Sequence, residues 1–302
     1  MKQLVILSGK GGTGKTTLSA AMAHLSSARG NPAVIVDADV DAANLHLVLP
    51  SKSGQMHEFM GGKIAHIDLE KCNGCGICLQ TCHFEAVIPC SANQAVCCVD
   101  PIACEGCAAC AYACPQHAIQ MLQQREGTWF HSDTAYGTLF HAELLPGREN
   151  SGKLVTLIKQ LARLFAADNG LEHIIVDGPP GIGCPVISAC AGADLALMIA
   201  EPSLAGIHDL DRILKTVRHF KIPAVVGINK SDIFPAGSQA IKTYCQSERI
   251  AVVGEVDFDD AIPKAMLAGQ PVSEFAPNSQ AALSMETIWK NVMVILAGSA
   301  GA

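Results

Sequence analysis

Short apolar runs alternate with longer amphipathic segments at both ends of the chain. Gln3–Ser8 and Ala33–Asp37 are apolar and β-prone, and Thr16–Ser27 between them has the spacing of a helix that Gly30 ends. The same alternation resumes after residue 150. Further strands are predicted at His173–Asp177, Leu195–Ala200, Ala224–Asn229 and Ile250–Glu255, and further helices at Gly152–Phe165, Ser203–Phe220, Ser238–Ser247, Asp259–Leu267 and Gln280–Leu296. Strands that alternate with helices predict an α/β fold with a doubly wound, mainly parallel sheet.

This alternation stops between about Pro50 and Asn150. Two similar cysteine-rich segments begin at Cys72 and Cys104, 32 residues apart, and each precedes a short apolar stretch. An internal repeat of this kind indicates a separate inserted module. We therefore predict a discontinuous main domain of residues 1–49 and 150–302, an inserted domain of residues 64–124, and flanking linkers of residues 50–63 and 125–149.

Composition and charge exclude several classes of protein. The 302 residues are 49% hydrophobic, which suffices for one large core and a small module. The net charge of −7, without a basic stripe, argues against a nucleic-acid partner. No apolar run approaches the roughly 18 residues of a membrane span, so no stable membrane insertion is predicted. The first apolar run, Leu4–Leu7, is too short for a signal peptide, and many cysteines have metal-ligand spacing, so we expect a cytoplasmic protein.

A glycine-rich loop, Gly9-Lys10-Gly11-Gly12-Thr13-Gly14-Lys15-Thr16, lies between the first predicted strand and helix. The backbone N–H groups of such a loop and the start of the following helix bind phosphates. In this pattern Lys15 neutralises the β- and γ-phosphates and Thr16 binds Mg²⁺. A simple turn is the alternative, which the strand–loop–helix context disfavours. The predicted nucleotide contacts of this loop are Gly9, Gly11, Gly12, Thr13, Gly14, Lys15, Thr16 and Thr17.

The additional lysine, Lys10, makes this loop resemble the deviant Walker A loop of the MinD/Mrp/ParA/nitrogenase-iron-protein ATPases. The resemblance implies a sheet of the P-loop NTPase type and hydrolysis of ATP with Mg²⁺. It also implies a nucleotide-sandwich dimer, in which Lys10 reaches the phosphates bound by the partner. The dimer is expected to contain two copies of this chain or this chain and a paralogue.

Three later segments match the same family in the same order. Asp37–Leu45 resembles the first switch, which implies that Asp39 positions the attacking water and that Asp37 lies near Mg²⁺. Ile174–Gly181 resembles a Walker B strand running into the second switch, which places Asp177 on the water shell of Mg²⁺. Asn229 follows a predicted strand, where the family uses asparagine to hold adenine. Lys10, Lys15 and Asp39 are thus the expected catalytic residues.

The two cysteine runs resemble a bacterial two-cluster ferredoxin. They are Cys72-x-x-Cys75-x-x-Cys78-x-x-x-Cys82 and Cys104-x-x-Cys107-x-x-Cys110-x-x-x-Cys114-Pro115. In that pattern the fourth cysteine of each run ligates the other cluster. The resemblance implies one [4Fe–4S] cluster on Cys72, Cys75, Cys78 and Cys114, and a second on Cys104, Cys107, Cys110 and Cys82. Zinc is a poorer match because its ligands usually come as two separated pairs. His83 replaces the proline expected after Cys82, which puts the turn geometry in doubt there.

The remaining cysteines lie outside these runs. Small buried or free thiols are expected at Cys90, Cys97, Cys98, Cys190 and Cys245. Cys184 lies seven residues after Asp177, at an offset where the nitrogenase iron protein carries a ligand of a subunit-bridging cluster. A structural or free thiol is favoured for Cys184, and a bridging cluster stays open as the alternative.

Together these resemblances imply a MinD-superfamily ATPase with an inserted α+β ferredoxin-like domain. The expected function couples nucleotide-dependent dimer switching to electron transfer, through two [4Fe–4S] clusters, to a redox partner protein. An iron–sulfur carrier of the Mrp type is the first alternative, which the absence of a Cys-x-x-Cys after Cys114 disfavours. A MinD-like positioning ATPase is the second. It is disfavoured because the tail, Met285–Leu296, has Lys290 as its only base, whereas a membrane-surface helix is rich in basic residues.

Overall fold

The computed structural model describes residues 1–90 and 96–298. Within them the chain forms two compact units. The first contains Met1–His57, Thr128–Leu144 and the chain from Ser151 onwards, and the second contains Glu58–Gly127 and Leu145–Asn150. The strands are β1 Lys2–Ser8, β2 Val34–Asp37, β3 Ser51–Ile67, β4 Val87–Pro89, β5 Cys97–Val99, β6 Ile119–Thr134, β7 Thr138–Leu144, β8 His173–Pro180, β9 Leu195–Ala200, β10 Ala224–Asn229 and β11 Ala251–Val256. The helices are α1 Lys15–Ala28, α2 Leu45–Val48, α3 Ile77–Thr81, α4 Ala109–Ala113, α5 Ser151–Asp168, α6 Cys184–Cys190, α7 Gly206–His219, α8 Pro235–Ser247, α9 Ala261–Leu267, α10 Val272–Phe275 and α11 Gln280–Gly298.

The large sheet has the order β11-β10-β9-β1-β8-β2-β7-β6-β3, and every pair from β11 to β7 is parallel. The prediction of a large, mostly parallel α/β sheet is therefore confirmed. The central strands are apolar throughout and buried on both faces, as parallel strands between helices are.

Two long strands lie where the sequence indicates linkers. Residues 50–63 fall mostly in β3, and residues 125–149 contain the end of β6 and all of β7. β3 is the last strand of the sheet order, and most of its residues are exposed. A polar strand at a sheet edge lacks the apolar run that marks a buried strand, so the pattern alone does not reveal it.

The order of the sheet brings distant parts of the sequence to one edge. β1 is hydrogen-bonded to β8, and β8 to β2, so Asp177 is the register partner of both Ile6 and Asp37. The glycine-rich loop leaves β1 at Ser8, next to these two aspartates. Ligands of open α/β sheets bind at the carboxyl ends of the strands, so the candidate site lies at this edge.

In the second unit, a backbone repeat accompanies the sequence repeat. α3 begins at Ile77 and α4 at Ala109, 32 residues later. The residue before each helix is left-handed, with φ of 72° at Gly76 and 64° at Ala108. The equivalent turn residues Glu85 and His117 also agree, with φ of 52° and 49°. Left-handed conformations are uncommon for residues other than glycine, so this agreement marks two copies of one supersecondary unit.

The two copies also end alike. Cys82 has φ −78° and ψ 108°, and Cys114 has φ −74° and ψ 112°. The backbone at Cys82, before His83, therefore has the same conformation as the backbone at Cys114, before Pro115. β4 and β5 form an antiparallel hairpin between the copies, with Val87 opposite Val99.

The last helix of the described chain packs into the first unit. Its apolar residues Met285, Ile288, Trp289, Val292 and Leu296 are buried in the main core. In residues 1–90 and 96–298, no helix combines the length and the apolar character that a membrane span requires.

Candidate functional site

The glycine-rich loop is open where phosphates would lie. Gly12 and Gly14 have positive φ values of 75° and 92°, which glycine adopts without strain. A Cβ atom added at Gly11 or Gly12 would meet no atom within 4 Å, so their backbone faces free space. α1 begins directly after Gly14, and its first N–H groups have no carbonyl of an earlier turn to bind. The loop and the helix start thus present several N–H donors to one cleft.

Lys15 is the buried cation of this cleft. Its Nζ atom donates a hydrogen bond to Ser8 Oγ at 2.9 Å. Burial lowers the pKa of Lys15, while Asp177, Asp39 and Asp37 act in the opposite direction. The ammonium group therefore has carboxylates nearby but no direct ion pair with one of them in the described contacts, and it is available to an anionic ligand.

Two fully buried carboxylates lie behind the loop. Asp177 accepts hydrogen bonds from Thr16 Oγ1 (2.7 Å) and Ser19 Oγ (2.9 Å). Asp37 accepts hydrogen bonds from the backbone N–H groups of Asp39, Asn44 and Leu45, at 3.1, 3.1 and 2.9 Å. These bonds fix both carboxylates toward the first switch and the phosphate loop.

The electrostatics of these carboxylates fit a divalent cation. Burial and, to a smaller extent, the neighbouring Asp177 raise the pKa of Asp37 to about 8. Burial also raises the pKa of Asp177, to about 6. A cation close to both would relieve their repulsion and desolvation. Carboxylate and hydroxyl oxygens are the ligands that Mg²⁺ prefers, so these aspartates and Thr16 can hold Mg²⁺ directly or through water.

A cleft of about 300 Å³ lies in front of the loop. Its size is in the range of small-molecule sites. Of the residues predicted from sequence, eight line it: Gly11, Gly12, Gly14, Lys15, Thr16, Thr17, Asp39 and Asn229. Gly9, Lys10, Thr13, Asp37 and Asp177 do not. Asp39 is half-buried there, and burial raises its pKa against the opposing effect of Lys15.

Asn229 joins the far wall of the cleft to the phosphate loop. Its Nδ2 atom donates to Thr13 O at 2.8 Å. Its Oδ1 atom is buried and has no partner among the described residues. A buried acceptor without a partner is costly, and a ligand that donates a hydrogen bond, as an adenine amino group does, would satisfy it.

The loop after β11 supplies a wall that the sequence analysis missed. Asp257, Phe258, Asp259 and Pro263 line the same cleft. Asp232 Oδ1 accepts from the N–H of Phe258 at 2.7 Å and ties this loop to the one after Asn229. Both loops follow neighbouring parallel strands, and this adjacency is the signal that could have identified them.

Lys10 is bound within its own chain. Its Nζ atom forms an ion pair with Glu201 Oε1 at 2.5 Å and donates to Ser203 Oγ at 3.3 Å. Lys230 binds the other oxygen of Glu201 at 3.3 Å and also donates to Gly12 O at 3.2 Å. Glu201 therefore holds two lysines beside the phosphate loop, a role that no sequence motif indicates.

In the second unit, the eight motif cysteines divide between two small pockets of equal volume. Cys72, Cys75, Cys78 and Cys114 line the first, and Cys82, Cys104, Cys107 and Cys110 line the second. The fourth cysteine of each run therefore lies with the other run, in the two groups that the ferredoxin resemblance implies.

The backbone around Cys82 suits a thiolate ligand. Burial raises the pKa of this thiol, but hydrogen bonds from the backbone N–H groups of Phe84, Val87 and Ala86 together outweigh burial and lower it. Burial raises the pKa of Cys78 and of Cys110. Among residues 1–90 and 96–298, no three His, Cys, Asp or Glu side chains meet at a point where they could hold a single metal ion. A [4Fe–4S] cluster has a different requirement. Each of its four irons takes one thiolate, so the sulfurs surround a cavity, as they do here.

The cysteines outside the motifs differ from one another. The expectation of free thiols is wrong for Cys90 and Cys98, which form a disulfide. The β4–β5 hairpin brings their Cα atoms to 4.9 Å, within the range for disulfides. Cys97, Cys190 and Cys245 are buried free thiols, and Cys184 is an exposed thiol at the start of α6.

Comparison with known proteins agrees with this geometry. The family model of the CobQ/CobB/MinD/ParA nucleotide binding domain matches residues 4–272. The chain is 36% identical over 228 residues to the uncharacterized protein MJ0578 of Methanocaldococcus jannaschii, covering 76% of this chain and 78% of that protein. It is 23% identical to the septum site-determining protein MinD of Bacillus subtilis over 296 residues, covering 96% and 88% of the two chains.

A solved structure supports the same fold. MinD of Pyrococcus horikoshii OT3, complexed with Mg-ADP, superposes with a TM-score of 0.61 at 15% identity and covers 100% of this chain and 99% of its own. The family match spans both halves of the large sheet and every loop of the candidate cleft up to α10. The chain belongs to the CobQ/CobB/MinD/ParA family of nucleotide-binding domains.

Proposed function

We propose that this protein binds and hydrolyses ATP with Mg²⁺ and couples the nucleotide cycle to electron transfer through two [4Fe–4S] clusters. The observation that carries the proposal is the division of the eight motif cysteines between two pockets, four to each, in a chain of this nucleotide-binding family. When bound, the clusters supply one-electron redox chemistry. The nucleotide cycle would control when that chemistry is open to a redox partner protein.

At the nucleotide cleft, each role follows from position. The N–H groups of Gly11, Gly12 and Gly14 bind phosphate oxygens, and the Lys15 ammonium offsets their charge. Thr16 and the buried Asp177 hold Mg²⁺, while Asp37 fixes the first switch through its backbone N–H partners. Asp39 faces the cleft and orients the attacking water. Orientation of this kind lowers the barrier without strengthening the binding of ATP.

A dimer would complete the nucleotide site. Lys10 does not line the cleft of its own chain, so its proposed contact is with phosphates bound by a partner. The partner is a second copy of the chain or a paralogue. Sedimentation of the purified chain with MgATP separates the two cases, because only a homodimer forms without another protein.

In the second unit, the residues hold the thiolates in place. Each run contributes three cysteines to one pocket and one to the other, so neither site can open while the other keeps its ligands. This crossed arrangement favours retention of the clusters over delivery of a cluster to another protein. Backbone N–H groups at Cys82 stabilise the charged sulfur.

The test is anaerobic reconstitution with iron and sulfide. We expect about eight irons and eight sulfides per chain, because two cubanes are held. The electron paramagnetic resonance spectrum of the reduced protein should show two interacting clusters. Stoichiometric zinc without iron would contradict the proposal. Iron that moves to an apo-acceptor in an ATP-dependent manner, and no longer does so in Cys184→Ser, would favour a cluster carrier instead.

A MinD-like positioning ATPase is the second candidate, because the similarity to MinD of B. subtilis extends over 96% of the chain. The apolar face of α11 lies in the core of the first unit, so α11 itself does not offer that face to a membrane surface. Sedimentation with anionic lipid vesicles and MgATP decides the point. Nucleotide-dependent vesicle binding would favour positioning, and its absence is expected here.

A further inference from the structure

Cys97 lies in the first cysteine pocket although it belongs to neither motif. The pocket is lined by five thiols, the four motif cysteines and Cys97, whereas the second pocket is lined by four. The side chain of Cys97 is 8% exposed and packs in the same apolar cluster as Cys78. Cys97 and Cys78 line the same pocket, and their side chains interact. The fifth thiol is therefore directed at a motif cysteine and not at solvent.

Strand geometry explains why only the first pocket has this thiol. Residues two apart in a strand point to the same face, so Cys97 and Val99 of β5 face alike and Cys98 faces away. Cys98 forms its disulfide with Cys90, on that other side. Val99 lines the second pocket. The same face of β5 thus places the thiol of Cys97 in the first pocket and the isopropyl group of Val99 in the second. The two pockets differ in this respect, although the backbone repeat makes them otherwise alike.

We propose that Cys97 is a reserve thiol ligand of the first cluster site, able to replace Cys78. The inference rests on the proposed function, because it needs a cluster in that pocket. With a cluster bound, either Cys78 or Cys97 would supply the fourth thiolate of this site. The sulfur that serves as ligand would be deprotonated, and the other would carry the proton as a thiol. Charge and electrons balance, and the site keeps four thiolates throughout.

The consequence is that the two sites differ in their tolerance of ligand loss. Removal of Cys78 leaves a thiol beside the vacated iron, while removal of Cys110, its equivalent 32 residues later, leaves none from β5. The choice between Cys78 and Cys97 also gives the first site two ligand states of the same cluster. Ligand geometry affects the spectrum and potential of a cluster, so such states are distinguishable.

The test compares matched alanine variants after anaerobic reconstitution, with iron and sulfide counted per chain. Cys78→Ala should keep the wild-type content and show an altered resonance spectrum for one cluster. Cys110→Ala should lose at least half of the iron. Cys97→Ala alone should keep all of it, and Cys78→Ala/Cys97→Ala should lose as much as Cys110→Ala. Adding Val99→Cys to Cys110→Ala should restore iron to the second site.

The outcomes separate this inference from the proposed function. If the wild-type protein holds no iron, both fail. If the wild type holds about eight irons and Cys78→Ala loses as many as Cys110→Ala, only the reserve ligand is refuted. Loss of iron in Cys97→Ala alone would also refute it, because Cys97 would then be an obligatory part of the site.

Discussion

The ion pair between Lys10 and Glu201 should act against dimer formation. Lys10 Nζ lies 2.5 Å from Glu201 Oε1, with side-chain exposures of 35% and 18%. A lysine that reaches the nucleotide of a partner must first leave this carboxylate. The partly exposed pair contributes about 1 kcal/mol, at the upper end for such pairs. Two protomers release two pairs, so the cost is about 2 kcal/mol per dimer.

Glu201→Gln removes the charge and keeps the size of the side chain. The variant should therefore form its MgATP-dependent dimer with a Kd lower by roughly 30-fold, since 1.4 kcal/mol corresponds to a factor of ten. Sedimentation velocity over a range of protein concentrations measures this Kd. Glu286→Gln is a matched control, because Glu286 pairs with Arg29 and Lys290 away from the cleft. An unchanged Kd in Glu201→Gln, with nucleotide affinity intact, would refute the reasoning.

Three further predictions concern single side chains. Lys10→Ala should abolish dimerisation and hydrolysis but retain ATP binding, whereas Lys15→Ala should weaken ATP binding itself. Isothermal titration with ATP separates the two variants. Full ATPase activity in Lys10→Ala would contradict the proposed dimer. Asp39→Ala should leave ATP affinity nearly unchanged while turnover falls at least 100-fold, as expected for a residue that acts in the transition state, and normal turnover would exclude this role. Lys159→Met should lower the free energy of unfolding by about 3 kcal/mol in denaturant titrations, because three backbone carbonyls at the end of α6 lose their hydrogen-bond donor. A decrease in the free energy of unfolding below about 0.5 kcal/mol would show that water replaces the ammonium group.

The sequence was sufficient for the parts of the site that depend on chain order. Asp37 ends β2, and Asp177 is its register partner in the adjacent parallel strand β8; short apolar runs predict both strands. The crossed grouping of the cysteines is what the resemblance of the two runs to ferredoxins implies. In both cases motifs in a known order indicate which segments meet, although those segments are far apart in the chain.

Other features depend on contacts between segments that share no pattern. Glu201 and Lys10 are 191 positions apart, and neither residue type signals the other. The sequence does not predict the pairing of Cys90 with Cys98, because this pairing depends on the register between two strands of three residues each, β4 and β5. β3 has the composition of a linker because an edge strand needs no continuous apolar run. In each case tertiary packing, and not local propensity, fixes the result.

If the proposed coupling exists, the nucleotide state changes the redox properties of the second unit. The most direct measurement is a potentiometric titration, followed by electron paramagnetic resonance, of the reconstituted Asp39→Ala protein with ADP and then with MgATP. We predict about eight irons in both samples and a midpoint potential, or a rate of reoxidation by a soluble acceptor, that differs between the two nucleotides. Two clusters whose potentials and reoxidation rates are the same with ADP and MgATP would contradict it.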